Sequence, residues 1–271
     1  MDGSIEMIKW KIADRVISEI VISDLNLINK WGVETADSWS FFSLEKDIGY
    51  RYQVKEYSEV VTENKFNSFS HIKMKEGEWI LEVIDELKDN KITRKAKVVC
   101  LEDSYFMDFV IRFRFKAQFF TKAFIAGHEL VHSKSNIYHQ YPVNEAQLDG
   151  LNYSAKFKLI NSQCLGKFKP HLYVRDHLDE WVVHARMIPT VEDKNIIKLC
   201  SRYFRTSPLP QVISNFILSF PLIKKYLWFR AEHTPYKTRF ARFFSPNAFP
   251  LVQLKKGQEI FWEVEVELNE K

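Results

Sequence analysis

The amino-acid sequence predicts a mainly β protein, an antiparallel β-sandwich or curved double sheet with a small helical insertion. Apolar and polar residues alternate with a period of two in several separate segments, as strands with one buried face do. Segments with helical periodicity are few. Hydrophobic residues make up 46% of the 271 and aromatic residues 15%, enough for a sizeable core in a single domain spanning residues 1–271.

Residues 11–30 are rich in Ile and Val and read as helix or strand alike. Residues 50–61 and 153–160 carry weaker strand alternation. Residues 79–87 and 92–100 flank Lys88-Asp89-Asn90-Lys91 and both contain β-branched residues, which predicts a hairpin. Met107, Phe109, Ile111, Phe113 and Phe115 then alternate with Asp108, Val110, Arg112, Arg114 and Lys116, a strand whose outer face is basic. Residues 209–231 read as a helix that Pro221 kinks or splits, so a helical, basic-aromatic insertion is expected near 209–245. At the end, Ile260, Trp262, Val264, Val266 and Leu268 alternate with Glu259, Phe261, Glu263, Glu265 and Glu267, a half-buried strand with an acidic outer face.

Composition removes several classes. A net charge of +4 leans towards anionic partners but is too small to argue nucleic acid. Cys100, Cys164 and Cys200 are odd in number and far apart, which suggests reduced thiols in a cytoplasm and no Cys-rich metal site. No window approaches the roughly 20 apolar residues of a membrane span, and the first residues lack a secretory core. The eight glycines are too dispersed for G-x-G-x-x-G or a Walker loop, which argues against Rossmann and P-loop nucleotide sites, and no G-x-S-x-G occurs.

One motif has two readings. Gly127 to Ser133 spell Gly-His-Glu-Leu-Val-His-Ser, a complete H-E-x-x-H. On a helix, His128 and His132 lie one turn apart and Glu145 supplies a third zinc ligand, with Glu129 beside the open position. On a β-hairpin, Lys122 to Ile125 form one arm, Ala126 to Glu129 the turn, and Leu130 to His132 the next arm. The hairpin is favoured, because the flanks are strand-rich and Gly127 inside a helix costs about 1 kcal/mol against Ala. With Asn144-Glu145-Ala146 and Asp149, the motif resembles thermolysin-like zinc peptidases. That resemblance implies zinc on His128, His132 and Glu145, and Glu129 as general base. The gap to Glu145 is shorter than that family shows, and no downstream oxyanion histidine is found.

A second constellation lies in residues 170–188. With Asp176 to Asp179 as the loop, Arg175 faces Glu180, Tyr173 faces Val182 and His171 faces His184. One face then presents His171, Tyr173, Arg175, Glu180, His184 and Arg186, and the other belongs to the core. Two imidazoles, a phenol and two guanidiniums suit a uronic acid: Arg neutralises the carboxylate while His or Tyr moves the proton, as in a lyase or epimerase. Arg112, Arg114 and Lys116 extend such a surface along an anionic polymer. A solvated outer face with an ordinary Arg175–Glu180 pair is the plain alternative.

From Phe220 to Phe244 six basic residues stand against one acid, Glu232, with eight interleaved aromatic side chains. Such a mixture suits core aromatics with a charged rim, or a peripheral contact with an anionic membrane.

Finally, Leu254-Lys255-Lys256-Gly257-Gln258-Glu259-Ile260-Phe261-Trp262-Glu263-Val264 resembles the closing strand of galactose-mutarotase-like β-sandwiches. The resemblance implies sandwich architecture and a sugar ligand, and carries no site residues. The expectation is thus a cytoplasmic protein that binds or modifies an acidic polysaccharide or oligosaccharide without a cofactor, using His171, Tyr173, Arg175, His184 and Arg186. A non-catalytic glycan-binding module and a zinc peptidase are the rivals.

Overall fold

The structure, a computed structural model, describes residues 8–37, 40–46, 48–135, 137–163, 168–189, 196–201, 212, 213, 216, 219, 220 and 248–271. Residues 11–30 contribute strands: β1 (Lys9–Ala13), β2 (Val16–Ile22) and β3 (Leu25–Asn26) form a small antiparallel sheet. Two-residue turns join them, with Asp14, Arg15, Ser23 and Asp24 all at positive φ, as tight hairpins require. There follow β4 (Gly32–Ala36), β5 (Phe41–Ser43), β6 (Gly49–Tyr50), β7 (Gln53–Val61), β8 (Lys65–Met74), β9 (Gly77–Lys88) and β10 (Lys91–Cys100). The middle of the chain gives β11 (Ser104–Phe106), β12 (Phe109–Lys116), β13 (Lys122–Ile125), β14 (His128–Val131), β15 (Tyr138–Tyr141) and β16 (Glu145–Asp149). The last are β17 (Tyr153–Gln163), β18 (Phe168–His177), β19 (Glu180–Pro189), β20 (Ile196–Ser201), β21 (Ala248–Leu254) and β22 (Glu259–Glu270).

Two large antiparallel sheets dominate. One has nine strands in the order β14-β13-β16-β17-β22-β10-β9-β8-β7, the other seven in the order β15-β18-β19-β12-β4-β5-β6. A three-stranded sheet, β11-β21-β20, accompanies them. The two large sheets face each other through the alternating apolar residues. Phe109 on β12 meets Trp262 on β22 at 6.2 Å and Trp79 on β9 at 6.0 Å, and Phe113 and Phe115 meet Phe157 on β17 at 5.6 and 5.4 Å. Such ring pairs add roughly 0.5–1.5 kcal/mol each beyond the area they bury. The expected sandwich is therefore present, and β12 is its central inner strand.

A buried ion pair lies among the inner-facing residues of the larger sheet. Arg94 on β10 forms a fork with Asp85 on β9 at 2.7 and 2.8 Å, both fully buried, and its guanidinium lies 5.7 Å from the Trp31 ring. The two-pronged bond offsets part of the desolvation that an isolated charge there would suffer, while Arg94 Nη1 is left without a hydrogen-bond partner among the described residues.

The H-E-x-x-H residues lie on a hairpin, so the helical zinc reading is corrected. β13 pairs with β14 through Ile125 and His128, leaving only Ala126 (φ 51) and Gly127 (φ 77) in the turn. The turn is two residues tighter than expected, because both central residues adopt the left-handed conformation that closes a hairpin most compactly. His128 and His132 are thereby spread along an extended chain and lose the one-turn stacking that zinc needs. Most of the helical insertion expected near 209–245, and of the basic-aromatic segment 220–244, lies outside the described residues. Among the described residues no helix is long and apolar enough to cross a membrane.

Candidate functional site

The hairpin of β18 and β19 turns through Leu178 and Asp179 alone, with Leu178 at φ 51. His171 consequently faces Arg186, Tyr173 faces His184, and Arg175 faces Val182. The expected register, with a four-residue loop, was displaced by two positions. Because a strand's side-chain period is two, that displacement leaves every residue on its expected face. His171, Tyr173, Arg175, Glu180, His184 and Arg186 do share one surface, the face of the seven-stranded sheet turned away from the core.

β12 pairs with β19 so that Arg112 stands beside His184, and with β4 so that Glu34 stands beside Val110. β15 adds Gln140 beside Tyr173. The outer face is far from solvated: His171 and Tyr173 are each 2% exposed, and Gln140, Asp108, Glu34, Glu45 and Glu180 are also buried.

Carboxylates hold the guanidiniums in place. Arg112 reaches Glu34 through Nη1 and Glu45 through Nη2. Arg114 Nε donates to Glu180 at 2.9 and 3.1 Å, and Asn29 Nδ2 donates to the same carboxylate at 2.7 Å. Arg186 Nε donates to Asp108 at 3.0 Å, and its Nη1 to Gln140 Oε1 at 2.5 Å. The ring of Tyr173 lies edge-on to His184 at 4.6 Å.

Two groups at the centre have shifted acidities. Burial, then Arg186, Arg112 and Arg175, hold the His184 pKa well below the ordinary imidazole value. Burial raises the Glu34 carboxyl above its ordinary value against the pull of Arg112, and Asp108 and Glu45 add to the rise. Both groups therefore favour their neutral forms. Ser43 Oγ, Arg112 Nε, Gln140 Nε2 and His184 Nε2 are buried here with no hydrogen-bond partner among the described residues. Buried groups of that kind normally have one, so the face has hydrogen-bonding capacity in reserve.

The residues of the zinc reading are dispersed among unrelated contacts. His128 stacks on Tyr141 at 5.3 Å, Glu129 pairs with Lys122 at 2.6 Å, His132 Nδ1 lies 2.6 Å from Asp176, and Glu145 meets Lys158 at 3.6 Å on the surface. No group of His, Cys, Asp or Glu among the described residues has metal-binding spacing. Sequence reasoning missed Glu34, Glu45, Asp108 and Gln140. The strand Gly32–Ala36 has no polar-apolar alternation, and its partners lie far away in the chain. Arg112, Arg114 and the Glu180 that pairs with Arg114 were visible, but Glu34 and Glu45, which hold Arg112, were not.

These elements define a β-sandwich with a buried, charge-dense sheet face. The same fold occurs in a solved structure of very low sequence identity. A putative aldose 1-epimerase from Escherichia coli superposes with a TM-score of 0.51 at 8% identity, over 98% of this chain and 97% of that one. A galactose mutarotase-like protein from Lactobacillus casei matches with a TM-score of 0.49 at 10% identity, over 99% of both chains. No family model matches the chain, and no curated protein does.

Proposed function

We propose that this protein binds a neutral aldose on the outer face of the seven-stranded sheet and interconverts its anomers. One observation carries the reading: His184 and Glu34, both biased towards their neutral forms, flank Arg112 on a buried polar face. β4 and β19 lie on either side of β12, so the two groups stand two strand spacings apart, about 10 Å between backbones.

In the proposed reaction, His184 Nε2 takes the proton of the anomeric hydroxyl while the Glu34 carboxyl gives its proton to the ring oxygen. The bond between C1 and the ring oxygen breaks, and the open-chain aldehyde forms. Rotation and reclosure with the roles reversed deliver the other anomer, with no redox change. The unpartnered atoms of Ser43, Arg112 and Gln140 suit sugar hydroxyls. The name of the Escherichia coli neighbour, a putative aldose 1-epimerase, agrees with this chemistry by analogy.

The acidic polymer expected from the sequence needs cations left over after internal pairing. Arg112, Arg114 and Arg186 pair with Glu34, Glu45, Glu180 and Asp108 on or beside the same surface. Arg112, Arg114 and Arg186 are thus engaged internally, which favours a neutral sugar over a uronate.

Freshly dissolved single anomers of a panel of aldoses, followed by polarimetry, test the reading. Acceleration is expected, with His184→Ala and Glu34→Gln each reducing it by about 100-fold or more. Sugar binding without acceleration would establish a glycan-binding module instead, and solvent deuterium uptake next to a uronate carboxyl would restore the lyase or epimerase alternative.

A further inference from the structure

Asp176 lies on β18 but on the opposite side from the candidate site, 2% exposed and facing the core. Its Oδ2 accepts four hydrogen bonds: from Ser133 N at 2.9 Å, Ser133 Oγ at 3.1 Å, Ser135 N at 2.8 Å and Ser135 Oγ at 3.0 Å. His132 Nδ1 lies 2.6 Å from Oδ1, and the His132 ring rests 5.7 Å from Trp181. One buried carboxylate thus gathers the segment that runs from β14 towards β15.

That segment leads straight into the site. β15 has four residues and, among the described residues, lies at the edge of the seven-stranded sheet and pairs with β18 alone. Such a short edge strand, bonded on one side, is a weak element by itself. Gln140 sits on it, with Oε1 on Arg186 at 2.5 Å and Nε2 unpartnered. Asp108 holds Arg186 through Nε and Nη2, and the Gln140 amide, which takes the remaining Nη1, depends on how firmly the entry to β15 is anchored.

We propose that Asp176 is a positioning residue for the candidate site: from the far side of β18 it ties down residues 132–135, and through them it sets the Gln140 amide that holds Arg186. It touches no ligand. The inference rests on the sugar-site reading for its consequence in catalysis, but the anchoring itself does not. His132, the second histidine of the H-E-x-x-H, thereby gains a role as one of the contacts of this anchor.

Two measurements on the full chain test it. The first is hydrogen exchange of the backbone amides of residues 138–141, where the recorded hydrogen bonds to Asp176 do not reach. Asp176→Asn should speed their exchange by about tenfold or more while β9 and β10 stay protected. Ser135→Ala, which removes one donor and keeps the backbone bonds, should give a smaller change in the same place. Unchanged exchange at 138–141 in Asp176→Asn would overturn the proposal, whatever the protein's activity.

The second is a double-mutant cycle on anomer interconversion. Asp176→Asn should raise KM about fivefold or more with a smaller effect on kcat, and should add less than about twofold in a Gln140→Ala background. Fully multiplicative effects would show that Asp176 does not act through Gln140 and would overturn the proposal. A wild-type protein without anomerase activity would remove the proposed function, and the exchange measurement alone would then decide the anchor.

Discussion

Burial and three neighbouring guanidiniums, those of Arg186, Arg112 and Arg175, act on His184 in one direction, against the imidazolium. At Glu34 burial acts against the carboxylate. A histidine with a depressed pKa is neutral, and able to accept a proton, at every pH above that depressed value. An acid with a raised pKa keeps its proton up to a higher pH than usual. Plotted against pH, kcat/KM should therefore be bell-shaped, with its acid limb below the ordinary imidazole range and its basic limb above the ordinary carboxylate range. Glu34→Gln should leave a slower reaction without the basic limb. A profile with a single limb near the ordinary imidazole value, unmoved by Glu34→Gln, would assign the proton transfers to other groups. The same shift makes His184 a cost in acid: the unfolded chain takes up a proton that the folded chain resists, so stability falls as pH drops below the ordinary imidazole range. Asp176 also loses support in acid. Burial alone would raise its pKa, but hydrogen bonds from Ser135 and Ser133 hold it below the ordinary value, and its contribution disappears as pH falls through that lowered value.

Single elements differ in how clearly the sequence announces them. β22 alternates without interruption and β12 does so from Ile111 onward, and both pack as their pattern implies, because one face of each meets the core. The polar set on β18 and β19 was legible for the same reason, and survived an error of two positions in register that a periodicity of two cannot detect. Glu34 and Glu45 were not legible. They flank Arg112 only because β4 comes to lie beside β12 and β5 beside β4, pairings made by the assembled sheet and by no local pattern. The H-E-x-x-H illustrates the opposite hazard, since a complete motif was carried by a hairpin. Ala126 takes a left-handed conformation that costs a side chain roughly 1–2 kcal/mol and that Asn tolerates better. Ala126→Asn should therefore raise stability by up to about 1 kcal/mol in urea unfolding. Chelation by EDTA should leave the unfolding midpoint unchanged. A chelator-sensitive midpoint, lost in His128→Ala, would reinstate a metal on these residues.

At the scale of the molecule, the last strand of the chain lies near the middle of the larger sheet. β22 pairs with β10 on one side and β17 on the other, so the nine strands form one sheet only through residues 259–270. Ile260, Trp262, Val264, Val266 and Leu268 from this strand are essentially fully buried. At roughly 1.5–3 kcal/mol for each buried large side chain, they contribute on the order of 10 kcal/mol. That equals the whole net stability of a typical domain, about 5–15 kcal/mol. Deleting residues 259–271 would divide the sheet into β14-β13-β16-β17 and β10-β9-β8-β7 and open the floor beneath Phe109. The shortened chain should lose cooperative unfolding and bind a hydrophobic dye, and a synthetic peptide of residues 259–271 should restore both properties. Pairings this distant in sequence also make refolding slow, in the millisecond-to-second range, because loop closure must precede the contacts that reward it. A truncated protein that still unfolds cooperatively at the full-length midpoint would show that the two halves of the sheet are stable apart. The outer polar face would then owe its shape to the seven-stranded sheet alone, and the sandwich would be dispensable for positioning Arg112 between His184 and Glu34.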